Sequence, residues 1–405
     1  MKDFARYVSR VANDTYRHSR PIMPEQPWWD NLDPYFHRYP DDFDLDLTTQ
    51  LMVRATAGID RISCGLLSSL TTLTAMPRTM HPGRLRRDLS QADYYGDIAI
   101  QRDPERFFPK PTQKVTVRRR KASLLEYRPS HGRVEVLSFK SEFEPQNPAL
   151  RSAYQAHKRN SIAWAEHWCH GDKPRPTLCM IHGFVADPYW LNSRWLALPW
   201  FYKQGYDILL YTLPFHGRRQ GMLDPFSGHG YFAHGFSHLN ETMAHAVHDF
   251  RLFLDYLEEQ GCEKFGVTGI SLGGYTSALL AATEPRLAFA IPNVPVTSLI
   301  DLMLQWRPIG TALRLAMRAN GVSVHDLRRL TAVSNPLTYD PLLDKSQLMI
   351  IGAAGDRFAP PKHSRLLWDH WQQPELHWFP GNHLIHLDQG RYLKQMASFM
   401  RAQGF

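Results

Sequence analysis

Cysteine is scarce, four in 405 residues, and none of Cys64, Cys169, Cys179 and Cys262 stands in a C-x-x-C pair or a regular framework. That excludes a disulfide-built scaffold and a cysteine zinc module, and suits free thiols in a reducing compartment. Long apolar runs are missing too. The most apolar-leaning stretch, ISCGLLSSLTTLTAM (62–76), is too short and too rich in serine and threonine to span a bilayer. The first residues, MKDFARYVSRVANDTYRHSR, lack the apolar segment of a secretory signal. Internal repeats and low-complexity tracts are absent, which argues against solenoids and disordered chains. With 43% hydrophobic and 12% aromatic residues, the expectation is a soluble, cytoplasmic, globular protein.

Acidic residues are outnumbered, leaving a formal net charge of +8, yet the excess is spread along the chain. The runs RLRR (84–87) and RRRK (118–121) read first as solvated faces. No nucleic-acid partner is expected, while peripheral membrane contact stays open.

The organisation changes near residue 160. Residues 1–110 read as a helical and irregular extension with proline-rich joints, including a short amphipathic face of Phe4, Tyr7, Val8 and Val11. Segments 114–128 and 133–140 alternate like a β-hairpin. Beyond them lie short apolar runs: TLCMI (177–181), DILLYTL (207–213), KFGVTG (264–269), LAFAIPN (287–293), QLMIIGA (347–353) and ELHWFPG (375–381). Each suits a strand buried on both faces. A helix is expected over 240–261, with Asn240 as its N-cap and Gly261 as its close. Strands alternating with helices predict an α/β fold with a doubly wound, mainly parallel sheet. Helical residues 298–335 interrupt the rhythm as a cap inserted into a domain spanning 111–405.

The stretch TGISLGG (268–274) places Ser271 between Gly269 and Gly273. With glycine at about 7% of residues, G-x-S-x-G alone arises by chance in roughly one chain in ten of this length. Its context adds weight, because a strand precedes it and a helix follows, the setting of a nucleophile elbow. A serine hydroxyl needs a base to take its proton. An acid and then a histidine follow in the required chain order. Asp356 stands in GAAGDRF after one strand, and His383 in PGNHLIHL after the last. His386 is the competing base, expected inside the next helix. His182-Gly183-Phe184 follows the first core strand, where backbone amides of Phe184 and Leu272 can serve a developing oxyanion. His216, Arg218 and Arg219 in LPFHGRRQG (213–221) either meet a substrate anion or brace their loop. Histidines 229, 234, 238, 245 and 248 lack the spacing of a metal motif, so structural roles are expected.

Over roughly residues 160–402 the sequence resembles the α/β-hydrolase superfamily, through IHGF, LPFHGRRQG, TGISLGG, GAAGDRF and PGNHLIHL. TGISLGG is similar to uncharacterised abhydrolase-domain and acetyl-xylan-esterase-like branches, and less so to prolyl-peptidase-type enzymes with an aromatic after the serine. The resemblance implies Ser271 as nucleophile, His383 as base, Asp356 as acid, and Phe184 and Leu272 as oxyanion donors. His182, Gly183, His216 and Arg218 would line the substrate site. It further implies hydrolysis of a small-molecule or lipid ester without metal or organic cofactor. A serine peptidase or amidase of the same fold, and a non-catalytic hydrolase-like binding protein, are the alternatives.

Overall fold

Four short apolar runs become strands that are buried along their whole length. In the computed structural model, which describes residues 26–39, 47–122, 129, 131–171, 173–185 and 189–405, nine strands form one sheet. They are β1 (Arg118–Lys121), β2 (Arg133–Lys140), β3 (Ile162–Cys169), β4 (Thr177–Ile181), β5 (Asp207–Thr212), β6 (Phe265–Ile270), β7 (Leu287–Asn293), β8 (Met349–Ala353) and β9 (Glu375–Phe379), in the order β1-β2-β3-β5-β4-β6-β7-β8-β9. Pairings from β1 to β5 are antiparallel and the rest are parallel. The strand order turns back at β4, which lies between β5 and β6. Open α/β sheets bind ligands outside the C-terminal ends of the strands at such a reversal.

The longer helices are α1 (Leu47–Thr74), α2 (Pro82–Ser90), α3 (Ala92–Ile100), α4 (Phe236–Glu259), α5 (Leu272–Thr283), α6 (Leu299–Gln305), α7 (Ile309–Asn320), α8 (Val324–Thr331), α9 (Pro361–His370) and α10 (Gln389–Ala402). Two apolar clusters cover the sheet, one containing α4 and α5, the other α10. The mainly parallel, two-sided α/β expectation therefore holds.

Two expectations change, and a third is not tested. Strand β3 carries a buried Glu166 and a buried His167, so its composition hides it from a pattern reading. Helix α4 begins at Phe236, four residues earlier than expected. Asn240 is consequently inside the helix, donating to the Leu330 carbonyl at 2.8 Å and accepting from Ser334 Oγ at 2.7 Å. The carboxylate of Asp88, at the end of α2, caps the α4 amides instead, 2.9 Å from Phe236 N. Finally, the amphipathic face of Phe4 to Val11 lies outside the described residues.

The N-terminal helices do not stand apart from the sheet domain. Trp28, Trp29, Leu85, Tyr95 and Phe107 share one core with Leu279 of α5 and Leu327 of α8. Arg328 of α8 is fully buried, ion-paired to Asp301 of α6 at 2.6 Å. It also donates to the carbonyls of Leu32 and Asp33. The helices of 298–335 and those before residue 110 are thus stitched together. Helix α1 buries Val53, Ala57, Asp60, Cys64, Ser68 and Thr71, while Leu51, Ile62, Leu66 and Leu73 face outward.

Candidate active site

Ser271 connects β6 to α5 with φ 60° and ψ −112°, a conformation that costs roughly 1–3 kcal/mol for a residue with a side chain. The flanking glycines show why it is held. A Cβ on Gly273 would overlap the Ile181 carbonyl oxygen, and one on Gly269 would run into the Gly273 carbonyl. The turn is therefore packed against the end of β4. The Ser271 amide donates to the Asn293 carbonyl at 3.0 Å, and Val294 donates to Ile351 of β8 at 2.7 Å. Gly355 after β8 donates to Gly381 after β9 at 2.8 Å. These bonds set the strand-end loops of β6, β7, β8 and β9 in one row.

Asp356 and His383 come together in that row. His383 Nδ1 lies 2.6 Å from Asp356 Oδ2, with both side chains buried. The other Asp356 oxygen accepts from the amides of Phe358 and Ala359 at 2.8 and 2.7 Å. Phe358 stacks on the imidazole, ring centroids 5.1 Å apart, and Trp306 donates to the Phe358 carbonyl at 2.9 Å. Burial alone would lower the His383 pKa. The charge of Asp356, the hydrogen bond to it and the charge of Asp60 outweigh burial and hold it above the ordinary imidazole value. With Nδ1 committed to Asp356, Nε2 is the nitrogen left for a serine hydroxyl.

His386 is excluded from this pairing by its own bonds. It lies before α10 rather than inside it. Its ring reaches the Tyr392 hydroxyl at 2.7 Å and the His383 carbonyl at 3.2 Å. Burial, with the nearby His383, pushes its pKa down to about 4.

At the end of β4, a Cβ added to Gly183 would lie 3.5 Å from Ser271 Cβ, so this loop borders the serine directly. Leu272 is the first residue of α5, and its amide has no acceptor within the helix. Half-buried Phe184 packs on Phe226 and Phe232. The remaining expected substrate residues turn inward. His182 Nδ1 donates to the Gly183 carbonyl at 2.8 Å, and its Nε2 accepts from the Leu213 amide at 3.1 Å. His216 is fully buried, with Nδ1 on the Pro214 carbonyl at 2.8 Å. Arg219 is buried against Asp249 at 2.8 Å. Arg218 lies over Trp164, 5.1 Å from the ring centroid. The bracing reading fits Arg219, which also donates to the Asn160 carbonyl at 2.7 Å, whereas the buried Nε2 of His216 makes no hydrogen bond to the protein. His157, His234 and His238 contact one another as rings. Among the described residues no group of three His, Cys, Asp or Glu is placed to hold a metal, and no helix is long and apolar enough to cross a membrane.

One polar residue of the site was not expected. Asp60 of α1 is fully buried, and its Oδ2 accepts from the amides of Arg357 at 3.1 Å and His383 at 2.9 Å. No motif surrounds it in the sequence. A surface depression lined by Asp344, Glu375 and Gln403 lies at the opposite, N-terminal ends of β8 and β9.

The match to the prolyl oligopeptidase family covers residues 228–402, which include Ser271, Asp356 and His383, although Leu272 had set the chain apart from that branch. An uncharacterized protein of Mycobacterium tuberculosis, in each of two strains, is 31% identical over 305 residues, 72% of this chain and 68% of its own. Among solved structures, an acetyl xylan esterase from Paenibacillus sp. R4 is similar in fold, with TM-score 0.53 and 13% identity over 78% of this chain and 93% of that one. The protein belongs to the α/β-hydrolase superfamily. Its site is of the serine-hydrolase class.

Proposed function

We propose that this protein hydrolyses carboxylic esters of small or medium acyl chains through an acyl-enzyme. The observation that carries the reading is Ser271 at φ 60° on its elbow, in one row of loops with the His383–Asp356 pair. Ser271 Oγ attacks the ester carbonyl carbon while His383 Nε2 takes its proton. Asp356 fixes the tautomer and stabilises the imidazolium. The amides of Leu272 and Phe184 hold the oxyanion. Collapse of the tetrahedral intermediate expels the alcohol, protonated by His383, and a water molecule repeats the sequence to release the acid. The half-buried rings of Phe184, Phe232 and Trp306 favour an apolar acyl group over a charged one.

The test is turnover of p-nitrophenyl acetate and butyrate by purified protein, with Ser271→Ala as control. Turnover lost in the variant supports the reading, and a folded wild type without turnover defeats it. The match to the prolyl oligopeptidase family favours a second reading, peptide or amide cleavage. Faster turnover of peptide p-nitroanilides than of the esters would select it.

A further inference from the structure

We infer that Asp60 is a positioning residue of this active site, gripping through backbone amides the two loops that carry Asp356 and His383. The inference rests on the serine-hydrolase reading above. Oδ2 accepts from Arg357 N at 3.1 Å and from His383 N at 2.9 Å, and Oδ1 accepts from Leu384 N at 3.3 Å. These are the residue after the acid, the base itself, and the residue after the base. One carboxylate therefore ties together loops that the chain separates by a helix and a strand. Helix α1 also packs on the same place one step away. A Cβ on Gly355 would lie 2.6 Å from Val53 Cγ1, so the turn before Asp356 is shaped to the helix.

The surroundings make this carboxylate more than a strut. Its neighbours from the two loops are Asp356 and His383, and Arg357 through its amide. On its own helix, Cys64 lies one turn on, and burial pushes that thiol up to about 12, so it carries no charge. Arg61 is exposed. Burial and the charge of Asp356 push Asp60 up to about 6, against the opposing pull of His383 and the amides. Its negative charge in turn raises the basicity of His383. Asparagine is no substitute, since its NH2 group would face a backbone N–H.

The active form must have lost a proton from His383 and kept Asp60 ionised. These are two macroscopic ionisations of one coupled group. On the acid side, log kcat/KM for p-nitrophenyl butyrate should therefore fall with a slope steeper than one over the range in which Asp60 takes up its proton. In Asp60→Asn the slope should drop to one and the limb move to lower pH, because a negative charge beside the base is gone. Its kcat at neutral pH should fall roughly 10- to 100-fold, the scale of a misplaced catalytic group, with KM little changed. Rates are normalised to sites titrated with a fluorophosphonate, so that lost folded protein does not mimic the effect. An unchanged limb and slope in the variant would overturn the proposal. Should the variant not fold, a wild-type slope nowhere steeper than one overturns it as well. A wild type that neither turns over ester nor labels at Ser271 would overturn the hydrolase reading and this inference together, and so differs from failure of Asp60 alone.

Discussion

Helices α5 and α1 meet at the candidate site under opposite rules. At the turn from β6 into α5 the constraint is backbone against backbone: Gly269 and Gly273 have no room for a Cβ, and Ser271 takes a conformation that the turn imposes. In α1 the buried face holds small and polar residues, Ala57, Asp60, Cys64 and Ser68, while Leu51, Ile62, Leu66 and Leu73 point outward. Helical periodicity tells which residues share a face, but the larger side chains here mark the wrong one as core. A site residue that depends on a tight turn leaves a motif. One that depends on which helix lands on which loop leaves none.

The largest effect expected is on the α5 side. Ser271→Ala should lower kcat on the order of 10^6-fold, read as ester turnover with folding checked by circular dichroism; residual activity within tenfold of wild type would detach the elbow from the chemistry. Asp356→Asn should cost on the order of 10^4-fold. It should also shift the acid limb of kcat/KM downward, since the base must be neutral and the charge that raises its pKa is removed. A limb moving upward would contradict the pairing.

Smaller effects probe how firmly the N-terminal helices are joined to the sheet domain. Arg328→Met strands the Asp301 carboxylate, which is fully buried, and should cost about 3–5 kcal/mol in urea unfolding. A separate early transition of residues before 110 would break the single-core description. Gly273→Ala should destabilise by about 1–3 kcal/mol through overpacking, because the added methyl has nowhere to go. Gly58→Ala in α1 meets nothing within 4 Å and should instead stabilise by about 0.5–1 kcal/mol. Equal signs for the two glycines, measured side by side, would erase the contrast between the helices.

The strand runs from β4 to β9 were legible because burial on both faces leaves continuous apolar stretches, and the acid and base follow strands for the same reason. What stayed hidden was set by tertiary contact. Strand β3 spends Glu166 on Trp168 Nε1 at 2.7 Å, so its polar residues do not alternate outward. The start of α4 was hidden because its cap, Asp88, lies 148 residues away. The loop LPFHGRRQG was readable as important, yet whether His216 and Arg219 face substrate or protein depended on Asp249 and Pro214. Asp60 lies 323 residues from the amide of the histidine that it holds, and no local pattern spans that distance.

Intact-mass analysis after exposure to a fluorophosphonate tests the central claim most directly. The account predicts one adduct per chain, mapped to Ser271, absent in Ser271→Ala and strongly slowed in His383→Ala. A folded protein that takes no adduct, or takes it on another residue, would contradict it.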